Sequence, residues 1–140
     1  MGKVQILAVL TMDGCLSSEL YDKAHQDLCL DRCGLDEIRN KALYRVTPDY
    51  SISMLHEWRK DGTNIRYLAE ATPDTADYIN GLLRMHAVDE IILYTVPFIS
   101  GSGRHLFKSA LPEQHWTLSS LKSYSNGVCR IIYILDKKAR

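Results

Sequence analysis

The sequence predicts an α/β fold in which a mostly parallel central sheet is flanked by helices and carries a C-terminal antiparallel hairpin. The first observation is VQILAVL at residues 4–10, a continuous apolar run typical of a central strand buried on both faces. The second is that helical segments alternate with further apolar runs, as in a parallel sheet. The third is Asn126-Gly127 between two apolar stretches, which favours a type I′ hairpin because both residues tolerate positive φ.

The first half of the chain contains a turn signal, two helical segments and a helix breaker. Asp13-Gly14 predicts a turn directly after the first strand. Helices are predicted from about Glu19 to Leu30 and over residues 35–43, where apolar residues recur at helical spacing. Pro48 then breaks the pattern, because a proline excludes the α-helical region for the residue before it.

The second half alternates more clearly between helices and strands. Residues 53–62 carry an apolar stripe at helical spacing and end in Gly62, so they predict a helix. A strand at 64–69, a helix that begins at Pro73 and a strand over Asp89–Val96 follow. We expect this strand, helix and strand to form a right-handed crossover with two parallel strands.

Length and charge restrict the possible functions. The 140 residues suffice for one core and are expected to form a single domain over residues 1–140. The 17 basic and 17 acidic residues give zero formal net charge, so nothing favours nucleic acid or a membrane surface as a partner. The apolar runs are too short to span a bilayer and the N-terminus has no signal-peptide pattern, so we expect a cytoplasmic protein.

Cysteine and histidine spacing predicts no metal site. The four cysteines form no CxxC pair, and we expect them to be buried, reduced thiols: Cys15, Cys29, Cys33 and Cys129. The five histidines are isolated, and each is expected to be a surface or capping residue: His25, His56, His86, His105 and His115.

One stretch, VDEIILYTVPFISGSGRHLF at residues 88–107, joins a strand to a glycine-rich loop. Pro97 ends the strand, and Gly101, Ser102 and Gly103 follow. Glycines allow the backbone to approach a bound molecule closely, so the loop predicts part of a ligand site. A tight turn without a ligand explains the same residues equally well.

Three segments in order resemble the dihydrofolate reductase-like superfamily, in particular the C-terminal reductase domain of the bifunctional riboflavin biosynthesis protein and its stand-alone relatives. They are LTMDG at the end of the first strand, IRYLAEATPDTADYINGLL, and AVDEIILYTVPFISGSGRHLF followed by the terminal hairpin. The resemblance covers nearly the whole chain. The region from about Leu30 to Ser53 matches poorly and is shorter than in the family, at the point where the family has a strand and cofactor contacts.

This resemblance implies a reductase that binds a nicotinamide cofactor, usually NADPH, at the carboxyl ends of the strands. The hydride acceptor would be a pterin, a pyrimidine or a similar ring. Asp13 would orient this ring or relay a proton. Alternatively, Asp13 is a carboxylate that belongs only to the turn. The candidate catalytic residues are Asp13 and Glu70, and the candidate cofactor-binding residues are Gly14, Thr72, Gly101, Ser102 and Gly103.

The chain departs from the family where Ala71 and Thr72 replace two consecutive glycines. Their Cβ atoms would obstruct a glycine-only backbone, and Thr72 has a structural use as the N-cap of the helix that begins at Pro73. Leu7 stands where the riboflavin-type enzymes tend to have a basic residue. Two hypotheses therefore remain: an NADPH-dependent reductase, or a relative that has lost dinucleotide binding and acts as a small-molecule-binding or dimer-forming protein.

The terminal hairpin is apolar on both faces, which is unfavourable for an exposed sheet edge. We expect it to be central in the sheet or paired across a homodimer. The resemblance favours the homodimer, because small reductases of this family commonly dimerise. The side chains in question are Ile131, Tyr133 and Leu135 on one face and Val128, Ile132 and Ile134 on the other.

Overall fold

The computed structural model of the protein describes residues 2–16, 33–60, 64–101, 103–108 and 110–136. The predicted helix from Glu19 to Leu30 lies outside the described residues, as do His25, Cys29, Gly62 and Ser102. Cys15 and Cys33 are buried as predicted, whereas the predicted burial of Cys129 is wrong, because its place in the outer hairpin leaves it partly exposed.

Eight strands and three helices make up the described part of the chain. In chain order they are β1 (Lys3–Leu10), β2 (Cys15–Leu16), α1 (Leu35–Lys41), β3 (Tyr44–Arg45), α2 (Ile52–Lys60), β4 (Arg66–Glu70), α3 (Ala76–Arg84), β5 (Glu90–Thr95), β6 (Arg104–His105), β7 (Trp116–Ser123) and β8 (Cys129–Leu135). Six strands form one sheet in the order β3-β4-β1-β5-β8-β7. The first four strands of this order are parallel, and the hairpin of β7 and β8 adds two antiparallel strands, which confirms the predicted sheet.

Strand β1 lies in the middle of the sheet because both of its faces are apolar. Val4 and Ile6 pack into a core with side chains of α2 and α3, whereas Leu7 and Val9 pack into a second core with Leu35 of α1. Alternate residues of a strand point to opposite faces, so helices cover this strand on both sides of the sheet. The prediction of a central, doubly buried first strand is confirmed.

The crossover from β4 through α3 to β5 joins two strands that flank β1 and run parallel to it. Its helix begins at Ala76 and not at Pro73, and its N-cap is Thr75. The predicted N-cap role of Thr72 is therefore wrong, because residues 73–75 form a turn before the helix starts.

The terminal hairpin occurs where the sequence predicts it, but its turn is not type I′. The loop has three residues, with Tyr124 N–H donating to Val128 O at 2.9 Å and Gly127 N–H donating to Tyr124 O at 3.0 Å. Only Gly127 takes a positive φ, of 91°, whereas Asn126 keeps an ordinary backbone and accepts a hydrogen bond from Val128 N–H through its side chain. A single glycine at positive φ is the usual requirement of a three-residue hairpin loop.

The middle of the chain contains a strand that the sequence analysis missed. Tyr44 and Arg45 form β3, which runs parallel to β4 at the edge of the sheet. The sequence analysis predicted no strand between Leu43 and Ser53, but two residues suffice to continue the sheet. Within the described ranges, no helix combines the length and the apolar character that crossing a bilayer requires.

Candidate functional site

The predicted site residues lie along the carboxyl edge of the parallel strands. Glu70 ends β4, the turn containing Asp13 and Gly14 follows β1, and the loop containing Gly101 follows β5. Because β4, β1 and β5 are parallel neighbours, their carboxyl ends meet at one edge of the sheet, the usual ligand position of open α/β sheets.

Asp13 ties the turn after β1 to the loop after β5. Its Oδ1 accepts hydrogen bonds from the Thr11 hydroxyl and from Ser100 N–H at 3.1 Å. Its Oδ2 accepts hydrogen bonds from Gly101 N–H at 3.0 Å and from the Cys15 thiol at 3.7 Å. These four bonds use the four lone-pair positions that a carboxylate offers.

The same contacts fix the charge of Asp13. The hydrogen bond from Thr11, followed by those from the backbone N–H groups of Ser100 and Gly101, holds the pKa of the Asp13 carboxyl well below its usual range. Asp13 is therefore a firmly ionised anion, and its bonding matches the alternative of a turn carboxylate. Its catalytic role stays a prediction.

The glycines of the site have positive φ angles, which side chains rarely adopt. Gly14 has a φ of 80°, Gly101 of 74° and Gly103 of 132°. A Cβ at Gly101 would meet nothing within 4 Å, whereas one at Gly103 would lie 3.5 Å from Leu16 O. Backbone conformation thus explains all three glycines, and their contact with a cofactor stays a prediction.

Asn80 of α3 anchors the segment after the glycine loop, and the sequence analysis missed it. The side chain is completely buried. Its Nδ2 donates to Ala76 O and Leu106 O, both at 2.7 Å, and its Oδ1 accepts from Lys108 N–H at 3.1 Å. An asparagine within the apolar stripe of a predicted helix is the signal that identifies such a residue, because a buried amide needs partners.

Glu70 lies in a cluster with two arginines. Its Oε1 is 2.6 Å from Arg39 Nε, and its Oε2 is 3.8 Å from Arg45 Nη1. Glu70 pairs in register with Leu7, three residues before the end of β1, so it lies about 10 Å from the Asp13 turn along the strand direction. The two predicted catalytic carboxylates therefore share an edge but not a hydrogen-bond network.

The departure at Ala71 and Thr72 causes no backbone strain, because neither residue has a positive φ. Ala71 buries its methyl group in the core and donates its N–H to Leu7 O at 2.8 Å. Thr72 N–H donates to Thr75 Oγ1 at 2.8 Å, and Thr75 Oγ1 donates to Glu70 O at 2.8 Å. The conflict expected for a glycine-only backbone does not arise, because this turn does not use the glycine conformation.

The arginines at the carboxyl edge suit a phosphate-bearing cofactor, but only some of the backbone N–H groups there are available to bind phosphate. Arg39 and Arg45 both lie beside Glu70, and Arg45 is half-exposed, so its guanidinium can reach a phosphate. The Thr72 N–H, in contrast, is already used within its turn. Within the described ranges, no three histidine, cysteine or acidic side chains are grouped so that they can hold a metal ion.

Comparison with known proteins identifies the fold. The family model described as the RibD C-terminal domain matches residues 74–130. A proposed riboflavin biosynthesis protein from Shewanella sp. PV-4 is similar over 96% of this chain and 99% of its own, with 13% identity and a TM-score of 0.63. A pyrimidine reductase-like protein from Corynebacterium diphtheriae is similar over 96% of this chain and 92% of its own, with 12% identity and a TM-score of 0.55.

The RibD protein of Acinetobacter baumannii is also similar, at 12% identity and a TM-score of 0.55. The match covers 97% of this chain and 58% of that protein. No curated protein matches the chain by sequence. The chain therefore has the fold of the RibD C-terminal domain, the dihydrofolate reductase-like fold that its sequence predicted.

Proposed function

We propose that this chain is a cytoplasmic reductase that binds NADPH at the carboxyl edge of its sheet and transfers hydride to a pyrimidine, a pterin or a similar heterocycle. The observation that carries the proposal is that the Glu70 cluster, the Asp13 turn and the Gly101 loop share one edge of a RibD C-terminal-like fold. The similarity to a pyrimidine reductase-like protein supports this class of reaction.

The residues of the edge have separate parts in this proposal. Arg45, with Arg39 beside it, attracts the phosphates of the cofactor, because its half-exposed guanidinium suits a phosphate group. Glu70 accepts hydrogen bonds from N–H groups of the heterocycle. Asp13, whose acceptor positions are all used, acts as a positioning residue that holds the Gly101 loop against the turn. NADPH supplies the hydride when it is bound.

A second candidate function rests on Ala71 and Thr72. The N–H groups of Thr72 and Thr75 are already hydrogen-bonded within the turn, which leaves fewer donors for a pyrophosphate. In this case the chain is a relative without dinucleotide binding that holds a different small molecule or acts as a dimer.

Titration with NADPH and NADH, followed by nicotinamide fluorescence and by calorimetry, separates the two candidates. The reductase predicts saturable micromolar binding by the wild type and loss of binding in Gly101→Val, because valine disfavours the positive φ from which Gly101 N–H reaches Asp13. Arg45→Gln should weaken binding about tenfold, as expected for the loss of one charged hydrogen bond. Lys60→Gln, an equal change of charge on α2, should leave it unchanged.

Binding measured at millimolar nucleotide concentration decides between the two candidate functions. No binding of either nucleotide at millimolar concentration would contradict the reductase and support the second candidate. Saturable binding would justify a screen of pyrimidines and pterins, with NADPH oxidation followed by absorbance.

We also propose a homodimer through the exposed face of the hairpin. Leu118 and Leu121 of β7 are 51% and 63% exposed, and they pair in register with Tyr133 and Ile131 of β8. Strand β7 is the edge of the sheet, and in this proposal a second copy of the chain covers the exposed face beside it. Light scattering should give twice the monomer mass for the wild type and the monomer mass for Leu118→Lys/Leu121→Lys. A monomeric wild type would contradict the proposal.

A further inference from the structure

A pocket of about 210 Å³ lies between α1 and the second face of the sheet. We call it the α1 pocket. Its polar lining consists of two acidic and three basic residues and one amide: Glu37, Glu90, Lys41, Arg66, Arg130 and Gln5. Glu90 and Arg66 are the first residues of β5 and β4, so the pocket opens toward the amino ends of the parallel strands.

Two buried polar atoms of this lining have no hydrogen-bond partner among the residues that the structure describes. Gln5 is only 5% exposed, and its Oε1 accepts no hydrogen bond. Arg130 Nε is buried and donates none. Buried polar atoms of proteins are nearly always hydrogen-bonded, so each exception calls for a missing partner. One atom of the pocket needs a donor, and the other needs an acceptor.

Several charged side chains of the α1 pocket form no ion pair with another described residue. Across the described segments, the structure shows no salt bridge of Glu90, Arg66 or Arg130. Charged side chains of both signs that do not neutralise each other are suited to a ligand that itself carries both signs.

The sheet register separates the two ends of the pocket. Gln5 pairs with Glu90 of β5, whereas Arg130 pairs with Tyr94, four residues further along the same strand. Four residues of a strand span about 13 Å. The long side chain of Arg130 can reduce the distance between the two ends of the pocket only in part. Ile92 lies between the two ends and lines the pocket. A molecule that reaches both ends must therefore be elongated and apolar in its middle.

We infer that the α1 pocket binds an elongated zwitterion, with its amino group against Gln5 Oε1 and Glu90 and its carboxylate against Arg130. Its methylene chain would lie over Ile92 and Ile132. This inference does not rest on the proposed reductase function, because no residue of the pocket belongs to the carboxyl-edge site.

Calorimetry with three six-carbon compounds tests the inference. The compound 6-aminohexanoate carries both end groups, hexanoate lacks the amino group and hexylamine lacks the carboxylate. We expect saturable binding of 6-aminohexanoate and at least about tenfold weaker binding of the other two, because each loses a charged hydrogen bond. Equal affinity for all three compounds, or no heat at millimolar 6-aminohexanoate, would overturn the inference and leave water as the partner of both atoms.

Variants of the two orphan positions link binding to this pocket. Gln5→Leu and Arg130→Met should each weaken 6-aminohexanoate binding about tenfold. Lys122→Met, which removes a charge from the residue paired with Arg130 on β7, should leave it unchanged. Wild-type affinity in both Gln5→Leu and Arg130→Met would overturn the inference. NADPH affinity should be the same in Gln5→Leu as in the wild type, so this result is independent of the reductase proposal.

Discussion

Replacing Asn80 by leucine should destabilise the junction between α3 and the segment after the glycine loop. The substitution keeps the size of the side chain but removes the amide that pairs with Leu106 O and Lys108 N–H. Ala76 O retains its helical backbone hydrogen bond. Leaving a buried polar group without a partner costs about 1–3 kcal/mol, and Leu106 is buried whereas Lys108 is reached by water. We therefore expect a loss of about 1–3 kcal/mol in the free energy of unfolding.

Urea unfolding, followed by tryptophan fluorescence, measures this loss as a lower midpoint with an unchanged slope. Asn64→Leu is the matched control, because Asn64 is exposed and the same substitution there should change stability by less than about 0.5 kcal/mol. Asn80→Asp should destabilise at least as much at neutral pH, since it would bury a carboxylate against Ala76 O and Leu106 O. The reasoning is refuted if Asn80→Leu is as stable as Asn64→Leu.

Three further predictions concern other buried or hydrogen-bonded groups. Because the pKa of Asp13 lies below its unfolded value, its contribution to stability is present above about pH 4 and is lost as the pH falls further. Unfolding measured across this range should show a weaker pH dependence for Asp13→Asn, and equal slopes would contradict the assignment. Tyr94 and Tyr124 both donate to Cys33 O at 2.8 Å, so either hydroxyl alone can satisfy it. The double phenylalanine variant should lose about 1 kcal/mol more stability than the sum of the single variants, which a double-mutant cycle measures. Gln5→Leu should raise the thermal midpoint of the unliganded protein, since it removes an unpaired buried acceptor, and a lower midpoint would reveal a partner for that amide.

Apolar patterning predicted the parallel sheet well, because burial on both faces leaves a direct trace in the sequence. The run at residues 4–10 is central, as expected, and the region around Asn126 and Gly127 is a hairpin loop. The type of turn was not predictable from that dipeptide alone, because the number of loop residues depends on how β7 and β8 align. The bulge between Leu118 and Ser120 is part of this alignment and has no signal in the sequence.

The site was predictable in location but not in its contacts. Strand order alone brings the residues after β1 and β5 to one edge, which is why Asp13 and Gly101 meet although 88 positions separate them. The partners of Glu70 were not predictable, because Arg39 reaches it only through the packing of α1, in the region where the resemblance fails. Asn80, in contrast, was predictable. Its helix was recognised, and an asparagine in the apolar stripe of a helix needs buried hydrogen-bond partners.

The central position of β1 has a consequence for how the chain acquires its structure. Both neighbours of this strand come from much later in the sequence, since Val4 pairs with Tyr67 and Gln5 with Glu90. During synthesis the run VQILAVL therefore remains unpaired until both of its partner strands have left the ribosome. Folds that depend on such distant pairings form slowly, and their unpaired strands are prone to associate with other chains. Yield from cells should accordingly depend on early protection of this first strand, by chaperones or by low temperature, more than on the stability of the finished protein.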